Sequence, residues 1–114
     1  MNNSRIFNLY NQVYYGDNLP HHSVSLSDRD VVRFLMPDIS PEQVNVYIEK
    51  GILYVEMSIN EGNVTTTRLE TFFMEEYYDI NGVKSNLNRG ILTVDIPFKK
   101  EYMEVLNVEV KVSE

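Results

Sequence analysis

The sequence predicts an all-β fold, an immunoglobulin-like β-sandwich of about seven to nine short strands with a short N-terminal arm and an extended C-terminal tail. Three observations carry this prediction. Apolar and polar residues alternate in several short runs, most cleanly in Gly90-Ile91-Leu92-Thr93-Val94-Asp95-Ile96-Pro97, and a period of two marks a half-buried strand. Turn residues punctuate the chain roughly every ten positions, the spacing of a sandwich. No long helical pattern interrupts the runs.

The run at residues 90–97 organises the rest. Gly90 follows Arg89, and glycine accepts the positive φ of a tight turn. Leu92, Val94 and Ile96 form an oily face, with Thr93 and Asp95 on the other side. Pro97 has no N–H to donate and ends the ladder. Gly51-Ile52-Leu53-Tyr54-Val55-Glu56-Met57 repeats this phrase in residue type. Two hairpins that found one local solution would produce the match, and so would an internal repeat.

Composition bounds the function. A chain of 114 residues is one domain by default, and 43% hydrophobic content excludes wholesale disorder. The absence of cysteine removes disulfides, thiol nucleophiles and thiolate metal sites. A net charge of −7 argues against nucleic acid, whose phosphates are bound by displacing counterions with lysine and arginine. It argues equally against an anionic membrane surface. The polar start, residues 1–7, lacks the apolar run of a secretion signal, and no stretch is long and apolar enough to span a bilayer. The cytoplasm is the expected address.

Residues 1–22 form the arm. Ile6, Leu9, Tyr10, Val13 and Tyr14 recur at helical spacing, with Phe7 and Tyr15 beside them, so an amphipathic helix or a loosely ordered aromatic arm is expected. The stripe either packs on the domain or meets other chains, since aromatics bring large apolar area to an interface. Residues 16–22 read as a linker. His21 and His22 point to opposite faces of an extended chain with no nearby carboxylate to complete a set, so no metal site is expected.

Residues 23–98 form the sandwich. Residues 24–28 alternate briefly. Residues 31–36 read as a strand with Val32, Phe34 and Met36 on one face, stopped by Pro37. Ser40-Pro41-Glu42-Gln43 suits one short helical turn with a capping box. Residues 44–49 alternate strictly, with Val44, Val46 and Ile48 on one side, before Lys50-Gly51 turns the chain. Glu61-Gly62-Asn63 reads as a turn, Thr65-Thr66-Thr67 as an edge strand, and residues 72–78 as an aromatic strand. Asn81-Gly82 turns again, and a short extended piece surrounds Leu87. Residues 99–114 form the extension, a charged linker followed by Leu106-Asn107-Val108-Glu109-Val110-Lys111-Val112, again alternating.

These residues resemble the small heat-shock proteins, whose body is the alpha-crystallin domain, over roughly residues 24–112. Gly90, Leu92, Val94 and Pro97 match the family's Gly-x-Leu-x-Val-x-x-Pro signature strand. Phe34-Leu35-Met36-Pro37, then Pro41-Glu42-Gln43-Val44, is similar to its strand, proline, acidic turn and return strand, and residues 51–55 to the strand after that. Val108-Glu109-Val110 falls where the family carries a hydrophobic-x-hydrophobic tail motif, with Val110-Lys111-Val112 as a second register. The chain departs from the family in several places, among them the following. Pro37-Asp38 stands for Pro-Gly. Glu75 and Glu76 stand where an arginine is usual in the aromatic strand. Residues 59–71 are short for the loop that bacterial and plant members exchange between subunits.

No catalytic set emerges. The histidines are adjacent, no glycine-rich phosphate loop follows a strand, and Glu75, Glu76 and Asp79 read as a solvated acidic face. An enzyme and a cofactor are therefore not expected. The resemblance implies an ATP-independent holdase of the stress response that binds partly unfolded clients and self-associates as a homodimer or larger homo-oligomer. It implies that Val108, Val110 and Val112 enter a neighbour's groove lined by Val44, Val46, Ile48 and Leu87. An extended segment adds to a sheet edge through its backbone while alternate side chains fill pockets. Pairing of the tail within its own domain is the alternative. Phe7, Tyr10, Tyr14 and Tyr15 are the expected client-binding arm. A CS-domain-like co-chaperone or adaptor that docks on a folded partner is the second functional class.

Overall fold

The computed structural model describes residues 19–103 and 106–113 in full, and the backbone of two strands within the first eighteen residues. In chain order the strands are β1 (Ser4–Phe7), β2 (Gln12–Tyr15), β3 (His21–Ser25), β4 (Arg29–Leu35), β5 (Val44–Glu49), β6 (Ile52–Glu61), β7 (Val64–Phe73), β8 (Lys84–Asn88) and β9 (Ile91–Pro97). Short 3₁₀ turns occupy Pro41–Gln43, Ile80–Gly82 and Lys100–Met103. One sheet runs β1-β2-β7-β6-β5 and the other β3-β4-β9-β8. The pairings are antiparallel except that of β2 with β7. The sandwich expected from the alternating runs is the observed architecture.

The two glycine phrases occupy equivalent places in opposite sheets. β5 and β6 pair through the turn at Lys50 (φ 53°) and Gly51 (φ 77°), and β8 and β9 through Arg89 (φ 53°) and Gly90 (φ 78°). Two consecutive positive φ angles give the turn whose twist matches that of the strands it joins. β6 and β9 then each lie one strand in from the edge of their sheets, and Leu53, Val55 and Met57 face the core as Leu92, Val94 and Ile96 do.

The equivalence extends to a third strand. Leu53 pairs with Phe72 of β7, and Leu92 pairs with Phe34 of β4. The residue after each of these strands is a buried methionine. The Met74 N–H donates to the Gly51 carbonyl (2.8 Å) and the Met36 N–H to the Gly90 carbonyl (2.6 Å). The molecule is thus built from two similar three-stranded units, β5-β6-β7 and β8-β9-β4, laid face to face. They are wired differently, because β7 follows β6 directly whereas β4 precedes β8 by some fifty residues.

Several local expectations hold. Val32, Phe34 and Met36 are buried together. Gln43 closes its capping box, with the Ser40 N–H donating to Gln43 Oε1 (2.9 Å). Asp38 sits at φ 63°, where the resembling family has glycine, and its short polar side chain tolerates that region.

Others are corrected. The arm holds two paired strands where helical spacing suggests a helix. Gln12-Val13-Tyr14-Tyr15 is β-branched and aromatic, a helix this short is marginal alone, and the open edge of β7 offers N–H and C=O groups to pair with. β3 begins at His21, within the stretch read as a linker, and Leu19 belongs to the core. Residues 59–71 form no loop. They are the end of a long hairpin in which β6 and β7 stay in register from Ile52↔Phe73 to Glu61↔Val64, closed at Gly62 (φ 64°). The aromatic strand stops at Phe73, because Met74 turns inward to the core. Glu75 and Glu76 therefore lie past the strand, not within it.

Candidate assembly groove and tail

The residues expected to line a groove lie on two edge strands, β5 and β8. Phe34 of β4 and Phe72 of β7 place their ring centroids 6.1 Å apart, which sets β7 over the β3–β4 side of the other sheet. The strand orders then bring β5 and β8 to the opposite flank, each the last strand of its sheet. Val44, Val46, Ile48 and Leu87 are half-buried and pack against the core from that flank. Their backbone edges have no strand partner among the described residues. An edge of this kind presents unpaired N–H and C=O groups, and half-buried aliphatic side chains beneath it offer shallow seats.

The two walls differ. Counted from the glycine turns, Ile48 corresponds to Leu87, Val46 to Ser85 and Val44 to Val83. β5 supplies three aliphatic side chains in a row, whereas β8 has an exposed serine at its middle position. Alternate residues on β5 face outward, and the ring of Tyr47 stacks on that of Tyr54 at 4.7 Å while its hydroxyl donates to Glu56 Oε2 (3.0 Å). Burial, followed by the bond to Glu56, pushes the Tyr47 phenol up to about 12.

Residues 106–113 of the tail belong to no described strand. Leu106, Val108, Val110 and Val112 are 87%, 78%, 89% and 89% exposed. The tail is therefore not seated in its own groove and is not a last strand of its own sheets.

The root of the tail is fastened. The expected linker contains the 3₁₀ turn Lys100–Met103, and Tyr102 N–H donates to the Lys99 carbonyl (2.9 Å). Phe98 N–H donates to Asp28 O (3.0 Å) and Lys99 N–H to Tyr77 O (2.8 Å). The ring of Tyr77 lies 5.7 Å from Phe98 and 6.3 Å from Tyr102, and Tyr78 stacks on Phe98 at 6.1 Å. The Tyr78 hydroxyl donates to Asp30 Oδ2 in β4, and Ser25 Oγ donates to Asp30 Oδ1 (2.5 Å). Burial first, then the bond to Asp30, holds the Tyr78 phenol well above its ordinary range. The sequence places Tyr77 and Tyr78 in the aromatic run 72–78 but does not join them to Phe98 and Tyr102, whose one signal is a pair of aromatics inside a charged linker.

The other candidates fall elsewhere. Gly90, Leu92, Val94 and Pro97 form the turn, core face and end of β9, as scaffold. His21 lies between Phe34 and Phe72, 5.4 Å from each ring, and pairs opposite Phe34, while His22 pairs opposite Arg33 on the other face of β3. Of the expected client-binding residues, Tyr10 lies outside the described residues. For Phe7, Tyr14 and Tyr15 only the backbone is described. No helix among the described residues is long and apolar enough to cross a membrane.

No family model matches this sequence, and no curated protein matches it either. Solved structures do. A small heat-shock protein from Xylella fastidiosa is similar with a TM-score of 0.63 at 16% identity, over 84% of this chain and 96% of that one. Heat shock protein 16.0 from Schizosaccharomyces pombe is similar with a TM-score of 0.62 at 17% identity, over 84% and 98%. The rat alpha crystallin domain gives 0.50 at 14% identity, over 85% and 92%. The fold is that of the alpha-crystallin domain of small heat-shock proteins.

Proposed function

We propose that this chain is an ATP-independent holding chaperone that assembles through its tail. The observation that supports it is the pairing of two unsatisfied surfaces on one molecule. Exposed, alternating Leu106, Val108, Val110 and Val112 stand on one side, and the open β5–β8 flank with its half-buried aliphatics on the other. A strand carrying a valine at every second position fits an edge whose seats repeat at the same period. The tail of one copy would lie along the groove of the next.

Each valine so buried contributes about 1.5–2 kcal/mol before ordering costs. A single contact is weak, and assembly relies on several made at once. Weak, exchangeable contacts suit a holdase, because aliphatic edges and the aromatic arm become available to clients that expose apolar surface. The net charge of −7 keeps a loaded complex dispersed.

The test compares the wild type with the double variant Val108→Asp, Val110→Asp. Light scattering of a heated client and native mass are measured on both. The wild type suppresses aggregation at equimolar ratio as a multimer, and the variant is smaller with its β-sheet spectrum unchanged. A wild type that leaves client aggregation unaltered sinks the holdase. A monomer that captures one stoichiometric folded partner points to the adaptor.

A further inference from the structure

We propose that the cavity between β3 and the end of β7, apart from the tail and the β5–β8 flank, is a binding site for a guanidinium group.

The cavity opens where the sandwich lacks a side wall. β2 pairs with β7 from Val64 to Thr67, so the rest of β7 has no strand partner on that side among the described residues. β3 is the last strand of the other sheet. Between them lies a cavity of about 410 Å³, lined by Ser25, Asp30, Phe72, Glu75, Tyr77 and Tyr78 among others. Small-molecule sites have volumes of this order.

Its chemistry is one-sided. Asp30 shares the inward face of β4 with Val32 and Phe34. Its Oδ2 accepts from the Tyr78 hydroxyl and its Oδ1 from Ser25 Oγ (2.5 Å). Both donors are neutral hydroxyls, which fix the carboxylate in place and leave its charge standing. Arg29, the next residue, lies on the opposite face of the strand and is committed to Asp28 (3.0 Å) and Asp95 (3.2 Å). Glu75 brings a second carboxylate to the lining. Neither acid has an ion pair among the described residues, and no described lysine, arginine or histidine lines the cavity. The Tyr78 phenol responds to the same field. Burial first, then the bond to Asp30 and its charge, hold that phenol above its ordinary range.

An ionised carboxylate turned inward between two sheets loses solvation, and a cation partner offsets the loss. The remaining wall is aromatic, and ring faces attract cations. A guanidinium meets both demands at once. Its five donors reach carboxylate and hydroxyl oxygens in its own plane, while its flat faces rest on rings. An ammonium has no such face.

Saturation-transfer NMR on the full chain tests the site, because it reads weak ligands on assemblies of any size. The probes are butylguanidinium, a free ligand, and N-acetyl-argininamide, which carries the group on a peptide unit. N-acetyl-citrullinamide has nearly the same shape without the charge, and N-acetyl-lysinamide has the charge without the plane. Either guanidinium probe should be saturated, and the citrulline signal should be about tenfold weaker or less at equal concentration. The lysine signal should fall between them. Asp30→Asn keeps the size of the side chain and should lower affinity about tenfold. Glu75→Gln, at an exposed position beyond β7, covers the case in which Asp30→Asn disturbs its neighbours, and should lower affinity about threefold. Equal signals from the arginine and citrulline probes overturn the role of charge. A lysine probe that binds as well as the arginine probe overturns the choice of guanidinium. Saturation that both variants leave unchanged overturns the placement, and no saturation of either guanidinium probe in the wild type overturns the site itself.

Discussion

The units β5-β6-β7 and β8-β9-β4 share a glycine turn, a central strand with three inward aliphatics, a cross-strand Leu–Phe pair and a methionine bonded to the glycine carbonyl. They differ at their margins. β6 runs ten residues and leads straight into β7, whereas β9 ends after seven at Pro97 and releases the tail root. β5 keeps Val46 where β8 has Ser85. The comparison teaches that the shared parts make the core and the unshared parts make the open edge and the tail on which the proposed assembly rests. Stability should therefore respond alike in the two units, and assembly should not.

The largest effect tests the shared core. Leu53 is 0% and Leu92 3% exposed, at matching positions. Truncation of either to alanine removes buried methyl groups and leaves a cavity, at a cost of about 2–5 kcal/mol. Urea denaturation of Leu53→Ala and Leu92→Ala should give losses within about 1 kcal/mol of each other. A loss in one less than half that in the other would mean that the units are similar in outline only.

A smaller effect sharpens the comparison at the turns. Gly51 and Gly90 have nearly the same φ, 77° and 78°. Alanine in that region costs about 1–2 kcal/mol at either. The surroundings differ. A Cβ on Gly51 meets nothing within 4 Å, whereas one on Gly90 comes within 3.3 Å of Pro37 Cα, which is backbone and cannot swing aside. Gly90→Ala should thus lower the melting temperature more than Gly51→Ala. Equal shifts would show that the β4 end yields to the added methyl.

How much of this the sequence carries depends on how local the signal is. Leu92, Val94 and Ile96 announce their strand because the side-chain period is two, and Arg89-Gly90 announces its turn because few residues accept that φ. The tail valines and the groove residues of β5 are legible for the same reason. The β1–β2 pair is not, because Ile6, Leu9 and Tyr10 carry helical spacing while the pairing is settled by the distant β7 edge. The second half of the β6–β7 hairpin is polar, with Thr65, Thr66 and Thr67, so its pattern lacks an oily face to read. The kinship of Phe34-Leu35-Met36 with Phe72-Phe73-Met74 escapes notice because one triplet precedes its unit and the other ends it. The ring contacts at the tail root join Tyr77 and Tyr78 to Phe98 and Tyr102 across some twenty residues with no period to link them.

The smallest effect concerns a tie within one unit against a tie between the two. Tyr47 donates to Glu56 inside the first unit, and Tyr78, just beyond β7, donates to Asp30 of β4 in the second. Both phenols are raised above their ordinary range in the folded chain. An unfolded tyrosine loses its proton near about pH 10, so above that the unfolded state holds fewer protons than the folded one. Stability then falls as pH rises. The contribution is whole below about pH 10 and is lost progressively toward the raised folded value. Tyr78→Phe removes one part-buried hydrogen bond, worth about 1 kcal/mol at neutral pH, and it removes this alkaline loss with it. Denaturation followed from about pH 9 to about pH 11 should show a shallower decline in Tyr78→Phe, and likewise in Tyr47→Phe, than in the wild type, because both folded phenols titrate above that range. Parallel declines in all three proteins would mean that the tie between the units holds no more tightly than a tyrosine at the surface.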